Sequence, residues 1–171
     1  VELFGRADRI DRLAGGTLAI VDYKTGGPPS GRMVEEGFAL QLGLIGMMAA
    51  RGGVEDLAAA DPARFEYWSL GRSDKSETGF GYVSSPVLEG RKKTGLPLED
   101  FLPETERYLR DAIALWIKGE EPFTARANPD LEVYTEYDQL MRLDEWLAVR
   151  ERVDPEGVWA SDLSRRLGLT R

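Results

Sequence analysis

Neither cysteine nor histidine occurs anywhere in the 171 residues. Their joint absence removes disulfides, thiolate zinc sites, cysteine nucleophiles, serine–histidine triads and iron–sulfur ligation together. A metal held by side chains must then sit on oxygen ligands, which favours magnesium, manganese or calcium. Long hydrophobic runs are missing too. The longest, FALQLGLIGMMAA, is interrupted by Gln41, Gly43 and Gly46 and falls short of the roughly 18 apolar residues of a membrane span. No membrane partner and a cytoplasmic location are therefore expected. The first residues do not read as a signal peptide. They begin abruptly at VELFGRADRI with no initiator methionine, so Val1 is expected to be an internal point of a larger protein.

Positive charge is also in short supply: the formal net charge is −8, where a free-standing nucleic-acid binder is usually basic. The deficit is uneven. Residues 1–32 carry five basic side chains (Arg6, Arg9, Arg12, Lys24, Arg32) and four acidic ones (Glu2, Asp8, Asp11, Asp22), leaving 17 of the 22 basic and 26 of the 30 acidic groups to the remainder. With 42% hydrophobic and 30% charged residues, the balance is that of a globular domain. The length suits one domain with its own core, expected as 1–171 with a core at 1–85 and a helical part at 98–171.

VELFGRADRIDRL (1–13) and LAIVDYK (18–24) are rich in strand-forming residues, and Ala14–Gly16 between them suits a tight hairpin. With a three-residue loop, Leu13 faces Thr17, Ile10 faces Ile20 and Asp8 faces Asp22. Alternation then sets Asp22 and Lys24 on one face and Tyr23 on the other. TGGPPSGR is a breaker-rich loop, after which residues from about Val34 to Arg51 predict a helix apolar nearly all round, with Gln41 its one interior polar side chain. RFEYWSL (64–70) and GFGYVSS (79–85) predict further strands. Leu98–Lys118 predicts an amphipathic helix. Thr135-Glu-Tyr-Asp138 resembles a capping box for a helix to about Arg150, and a last helix is expected from Ser161. Hairpin, buried helix, strands and helices in that order indicate an α/β sheet flanked by helices.

Two carboxylates facing each other on a sheet repel unless a cation sits between them, and oxygen ligands suit a divalent metal. A lysine on the same face can hold a water or offset negative charge. Such a set fits phosphodiester cleavage, in which metal and lysine stabilise the charged transition state. Spacing alone leaves open the alternative of an exposed strand face with alternating charges.

The residues themselves say more. GRADRIDRLAGGTLAIVDYKTG, followed by Gln41-Leu42, resembles the nuclease motif of the RecB-like branch of the PD-(D/E)XK superfamily. That resemblance implies a restriction-endonuclease-like mixed sheet with a catalytic hairpin, flanked by helices. It implies Asp8 and Asp22 as metal ligands, the Tyr23 carbonyl completing the metal shell, Lys24 as the catalytic lysine and Gln41 as the supporting glutamine. Mg²⁺ is the implied cofactor, with Mn²⁺ able to substitute, and DNA the substrate. PFTARANPDLEVYTEYDQLMRLDEW is similar to the tail of the AddB subunits of AddAB helicase–nucleases. It implies an exonuclease acting in double-strand break repair with an AddA-like helicase–nuclease partner. The chain departs from the family at three points. Ile45 stands where a tyrosine is common, no cysteine can hold the family's iron–sulfur cluster, and the family's acidic or histidine residue on an upstream helix is expected before Val1.

Against these stand simpler assignments. Arg9 and Asp11 read as a solvated strand face, Lys92 and Lys93 as loop charges, and Tyr67, Trp68, Trp116 and Trp146 as core or interface. A scaffold that keeps the nuclease fold, or a stand-alone nuclease, are the competing functions.

Overall fold

A computed structural model describes residues 1–120. Its elements are β1 (Arg9–Arg12), β2 (Leu18–Lys24), α1 (Gly31–Glu35), α2 (Gln41–Ala50), β3 (Pro62–Arg72), β4 (Phe80–Ser84) and α3 (Leu98–Ala112). The chain falls into two compact units, Val1–Arg110 and Asp111–Arg171, and the site described below lies in the first. The capping box at Thr135, the helix start at Ser161, Trp146 and the AddB-like tail lie outside the described residues.

The strands form one sheet in the order β1-β2-β3-β4. β1 and β2 are an antiparallel hairpin, with Arg9 opposite Val21, Ile10 opposite Ile20 and Arg12 opposite Leu18. The Leu13 N–H donates to the Thr17 carbonyl at 2.8 Å, which closes the three-residue loop in the register expected from the sequence. β2 then runs parallel to β3, and β3 pairs antiparallel with β4. The sheet is mixed because the link from β2 to β3 carries two helices, the kind of crossover that parallel neighbours require.

As an inner strand, β2 is buried on both faces from Leu18 to Asp22, and its apolar run follows from that position. Leu18, Ile20, Phe65 and Tyr67 on one face meet Val34, Leu42, Ile45, Ala49 and Phe101 in a single core. The Phe65 and Phe101 rings stack with centroids 4.0 Å apart. α3 buries Phe101 and Thr105 one turn apart, and the Thr105 hydroxyl is satisfied by donating to the Phe101 carbonyl at 2.7 Å.

Three sequence expectations are corrected. First, the strand expected over 1–13 pairs only from Arg9 to Arg12, because the ladder is closed off at Asp8 by a side chain (below). Second, the helix expected from Val34 to Arg51 is two helices. Gly37 has φ +79 between them, and a Cβ there would lie 2.5 Å from the Tyr108 ring, so neither the backbone conformation nor the space admits a side chain. Gln41 consequently opens α2 as an exposed residue and is not buried mid-helix. Third, the helix expected through Lys118 gives way after Ala112 to a single π-helical turn, Ile113–Ile117.

α1 is short and leans on its cap: the Ser30 hydroxyl accepts from the Met33 N–H at 3.2 Å. Ser30→Ala is expected to cost about 1 kcal/mol, read as a lower chemical-denaturation midpoint at unchanged slope.

Candidate functional site

Asp22 and Lys24 occupy alternate positions at the end of β2, so they share the core face where it opens to solvent. Asp22 is 2% exposed, and the Lys24 side chain is 28% exposed. The Lys24 ammonium lies 2.6 Å from Asp22 Oδ2 and donates to Gln41 Oε1 at 3.0 Å. Gln41 reaches the pair because the break at Gly37 brings the first turn of α2 to the end of the strand.

The Asp22 contact is a charge contact with poor hydrogen-bond alignment. Among the described residues Oδ2 accepts no hydrogen bond, although it is fully buried. Buried acceptors are almost always satisfied, and one left over at a strand end is the kind of oxygen that a cation or water takes up.

Asp8 lies one position before β1, where the register continues to a position opposite Asp22. Its Oδ2 accepts from the Tyr23 main-chain N–H at 2.9 Å. In an unbroken ladder that N–H would pair with the Ala7 carbonyl, so the carboxylate replaces a backbone acceptor and ends the strand. Asp8 is thus tied to the backbone of the strand that carries Asp22 and Lys24, while the direct side-chain contact joins Asp22, Lys24 and Gln41. The Tyr23 side chain points the other way, exposed and edge-on to Trp68 at 6.0 Å.

On that opposite face Arg9 pairs with Asp11 at 2.9 Å and sits 4.7 Å from the Trp68 ring centroid, an exposed strand face as its residue types indicate. Lys92 spends its ammonium on the Ser85 and Val87 carbonyls, each at 3.0 Å, and is a loop charge.

Tyr67 lies in the core, as expected of its residue type, and has a second neighbourhood that the local sequence does not reveal. Parallel pairing sets Tyr67 beside Asp22 and Ser69 beside Lys24. Tyr67 is 1% exposed, and the Lys24 ammonium is 5.7 Å from its ring centroid. Burial pushes its phenol well above the ordinary range, and the negative charge of Asp22 adds to the shift. Alternation in RFEYWSL sets Phe65, Tyr67 and Ser69 on one face, but the register against β2 is fixed only by the folded sheet.

Among the described residues no three acidic side chains gather as a ready metal cage. The donors on hand are the Asp22 and Asp8 carboxylates and main-chain carbonyls at the strand end. That set fits Mg²⁺, which commonly takes one or two carboxylates and fills its octahedron with water and substrate phosphate. Asp22 Oδ2, in charge contact with Lys24 but free of hydrogen bonds among the described residues, supplies the oxygen such an ion needs.

The sequence profile of the PD-(D/E)XK nuclease superfamily matches residues 1–130. A stretch of 28 residues is 61% identical to the decaprenylphosphoryl-β-D-ribose oxidase of Mycolicibacterium smegmatis, covering 16% of this chain and 6% of that protein. So short a stretch carries neither a fold nor an activity across. No solved structure matches. Among the described residues no helix is long and apolar enough to cross a membrane.

Proposed function

The chain belongs to the PD-(D/E)XK nuclease superfamily, and from that premise we propose that it is the Mg²⁺-dependent DNA exonuclease domain of an AddAB-type helicase–nuclease in double-strand break repair. Its sheet flanked by helices is the restriction-endonuclease-like fold of that superfamily. The observation that carries the reading is the contact of Asp22, Lys24 and Gln41 around a buried carboxylate oxygen with no hydrogen bond. The AddAB assignment rests on the AddB-like tail. It implies a single nuclease domain within a larger cytoplasmic protein, paired with an AddA-like subunit that feeds it DNA.

In this reading Asp22 and Asp8 hold the cation with the Tyr23 carbonyl. When bound there, the metal would supply Lewis-acid stabilisation of charge on the phosphate and would lower the pKa of an attacking water. Lys24 is the chain's own means of offsetting the negative charge that builds up on the phosphate oxygens. Gln41 keeps the ammonium at the strand end through its 3.0 Å hydrogen bond, so that Lys24 has a partner when Asp22 engages a cation. Before a cation binds, the Asp8 carboxylate is held to β2 by the Tyr23 N–H.

Mg²⁺ should raise the melting temperature of the parent, since a ligand bound only by the native state at a hundredfold excess over its Kd adds about 2.7 kcal/mol. Asp22→Asn keeps the volume and a partner for Lys24 but removes the charge. It should fold normally and lose the Mg²⁺-dependent gain. Equal shifts in variant and parent would show that the metal binds elsewhere or only weakly, against this reading.

A further inference from the structure

Two buried polar atoms at the strand end lack a hydrogen-bond partner among the described residues: Asp22 Oδ2 and the Tyr67 hydroxyl. They belong to register partners on adjacent parallel strands and project from the same face of the sheet. Neighbouring strands are roughly 4.8 Å apart, so the two side chains are neighbours on that face, with the Lys24 ammonium 2.6 Å from Asp22 Oδ2 and 5.7 Å from the Tyr67 ring centroid. The atoms are complementary, since a carboxylate oxygen only accepts and a protonated phenol can donate. A phenol is protonated at neutral pH, its ordinary pKa being about 10, and so has a proton to donate. The hydroxyl costs free energy if left unmet in a buried site, and the Asp22 oxygen, held by charge to Lys24, still has lone-pair capacity to accept, so one small ligand can serve both.

We propose that Tyr67 is a positioning residue for Asp22, acting through one ordered water. The Tyr67 hydroxyl donates to the water oxygen, and the water donates to the Asp22 carboxylate. A water needs two to four polar partners to be retained in a protein interior, and these two atoms supply the minimum. The bridge fixes the carboxylate rotamer, so Asp22 presents a set oxygen to a cation and loses little freedom on binding it. Groups that orient a ligating carboxylate are commonly worth 10- to 100-fold in metal affinity or activity. The inference rests on the proposed role of Asp22 as a metal ligand and adds the residue that sets its geometry.

Tyr67→Phe isolates the hydroxyl, because the ring still fills its place against Leu18, Ile20 and Phe65 and still faces Lys24. Mg²⁺ affinity of the full chain, measured by titration calorimetry without DNA, should weaken about tenfold in Tyr67→Phe. The metal-free melting temperature should stay near the parent's, since the lost water-mediated hydrogen bond is offset by the removal of a buried polar group. KM for linear duplex DNA should be unchanged. Asp22→Asn, run alongside, separates the two ideas. If Asp22→Asn abolishes Mg²⁺ binding while Tyr67→Phe binds with parental affinity, the water bridge is wrong and the metal site stands. If the parent shows no Mg²⁺ binding, or Asp22→Asn binds like the parent, the metal reading has failed and the inference falls with it. A Tyr67→Phe chain that melts lower without metal and binds Mg²⁺ as the parent does marks the phenol as a packing group only, which also overturns the proposal.

Discussion

Lys24→Ala should lower DNA cleavage by roughly a hundredfold or more while leaving metal and DNA binding near parental levels. A cation does not ligate a cation, so the ammonium acts on the attacking water or on charge developing at the phosphate. Preorganised charge of this kind is commonly worth several kcal/mol in the transition state. The geometry specifies how the comparison must be made. Lys24 is the ion partner of a carboxylate that is 2% exposed, and removing it leaves a buried charge unpaired in the metal-free protein. The variant is therefore expected to melt lower without Mg²⁺ and to recover much of that loss when the metal neutralises Asp22. Rates belong at saturating Mg²⁺, in the full-length protein with its helicase partner and with the partner's own nuclease disabled. Parental degradation of linear duplex ends by that complex would rule out the enzyme reading and leave a DNA-clamping scaffold in its place.

A second large effect is expected far from the chemistry. Gly43→Val should destabilise the fold by about 2–3 kcal/mol, lowering the melting temperature by roughly 5–10 °C. Two effects compete at this position. Glycine inside a helix costs about 1 kcal/mol relative to alanine, so on propensity alone a substitution would help. Packing decides otherwise. A Cβ at Gly43 would lie 2.0 Å from Thr105 Oγ1 and 2.8 Å from Thr105 Cβ, where α3 meets α2. Thr105 cannot easily give way, because its hydroxyl is bonded to the Phe101 carbonyl and Phe101 is stacked on Phe65. Since α2 begins with Gln41, a forced shift of this helix would also draw the glutamine from Lys24. A melting temperature equal to the parent's would show that the two helices do not pack through this residue.

The hairpin was legible in the sequence because its determinants are local. Three loop residues fix a register, the register fixes parity, and parity sets Asp22 and Lys24 together without any long-range information. The break between α1 and α2 was harder to see. It depends on the Tyr108 ring occupying the side-chain space of Gly37, a contact across some seventy residues that no local pattern announces. Gln41 stands out in the sequence as a lone polar residue in an apolar run, yet its exposed place at the start of α2 follows from the same long-range contact. Tyr67 shows a further limit. Its strand and its inward face follow from alternation, but its place beside Asp22 depends on how β3 slides along β2. Parallel strands joined by a long crossover carry no turn to fix that slide.

The main-chain cap at Asp8 makes the Tyr23 amide a reporter of site occupancy on the hydrogen-exchange timescale. While the carboxylate accepts from it, that proton is held at the edge of the sheet much as a ladder amide is. When a cation claims the same oxygen, the amide loses its acceptor and its exchange quickens, even as metal binding slows exchange through the core. One amide should therefore run against the trend of all its neighbours in β2, giving a residue-level signal of loading that requires no DNA and no turnover.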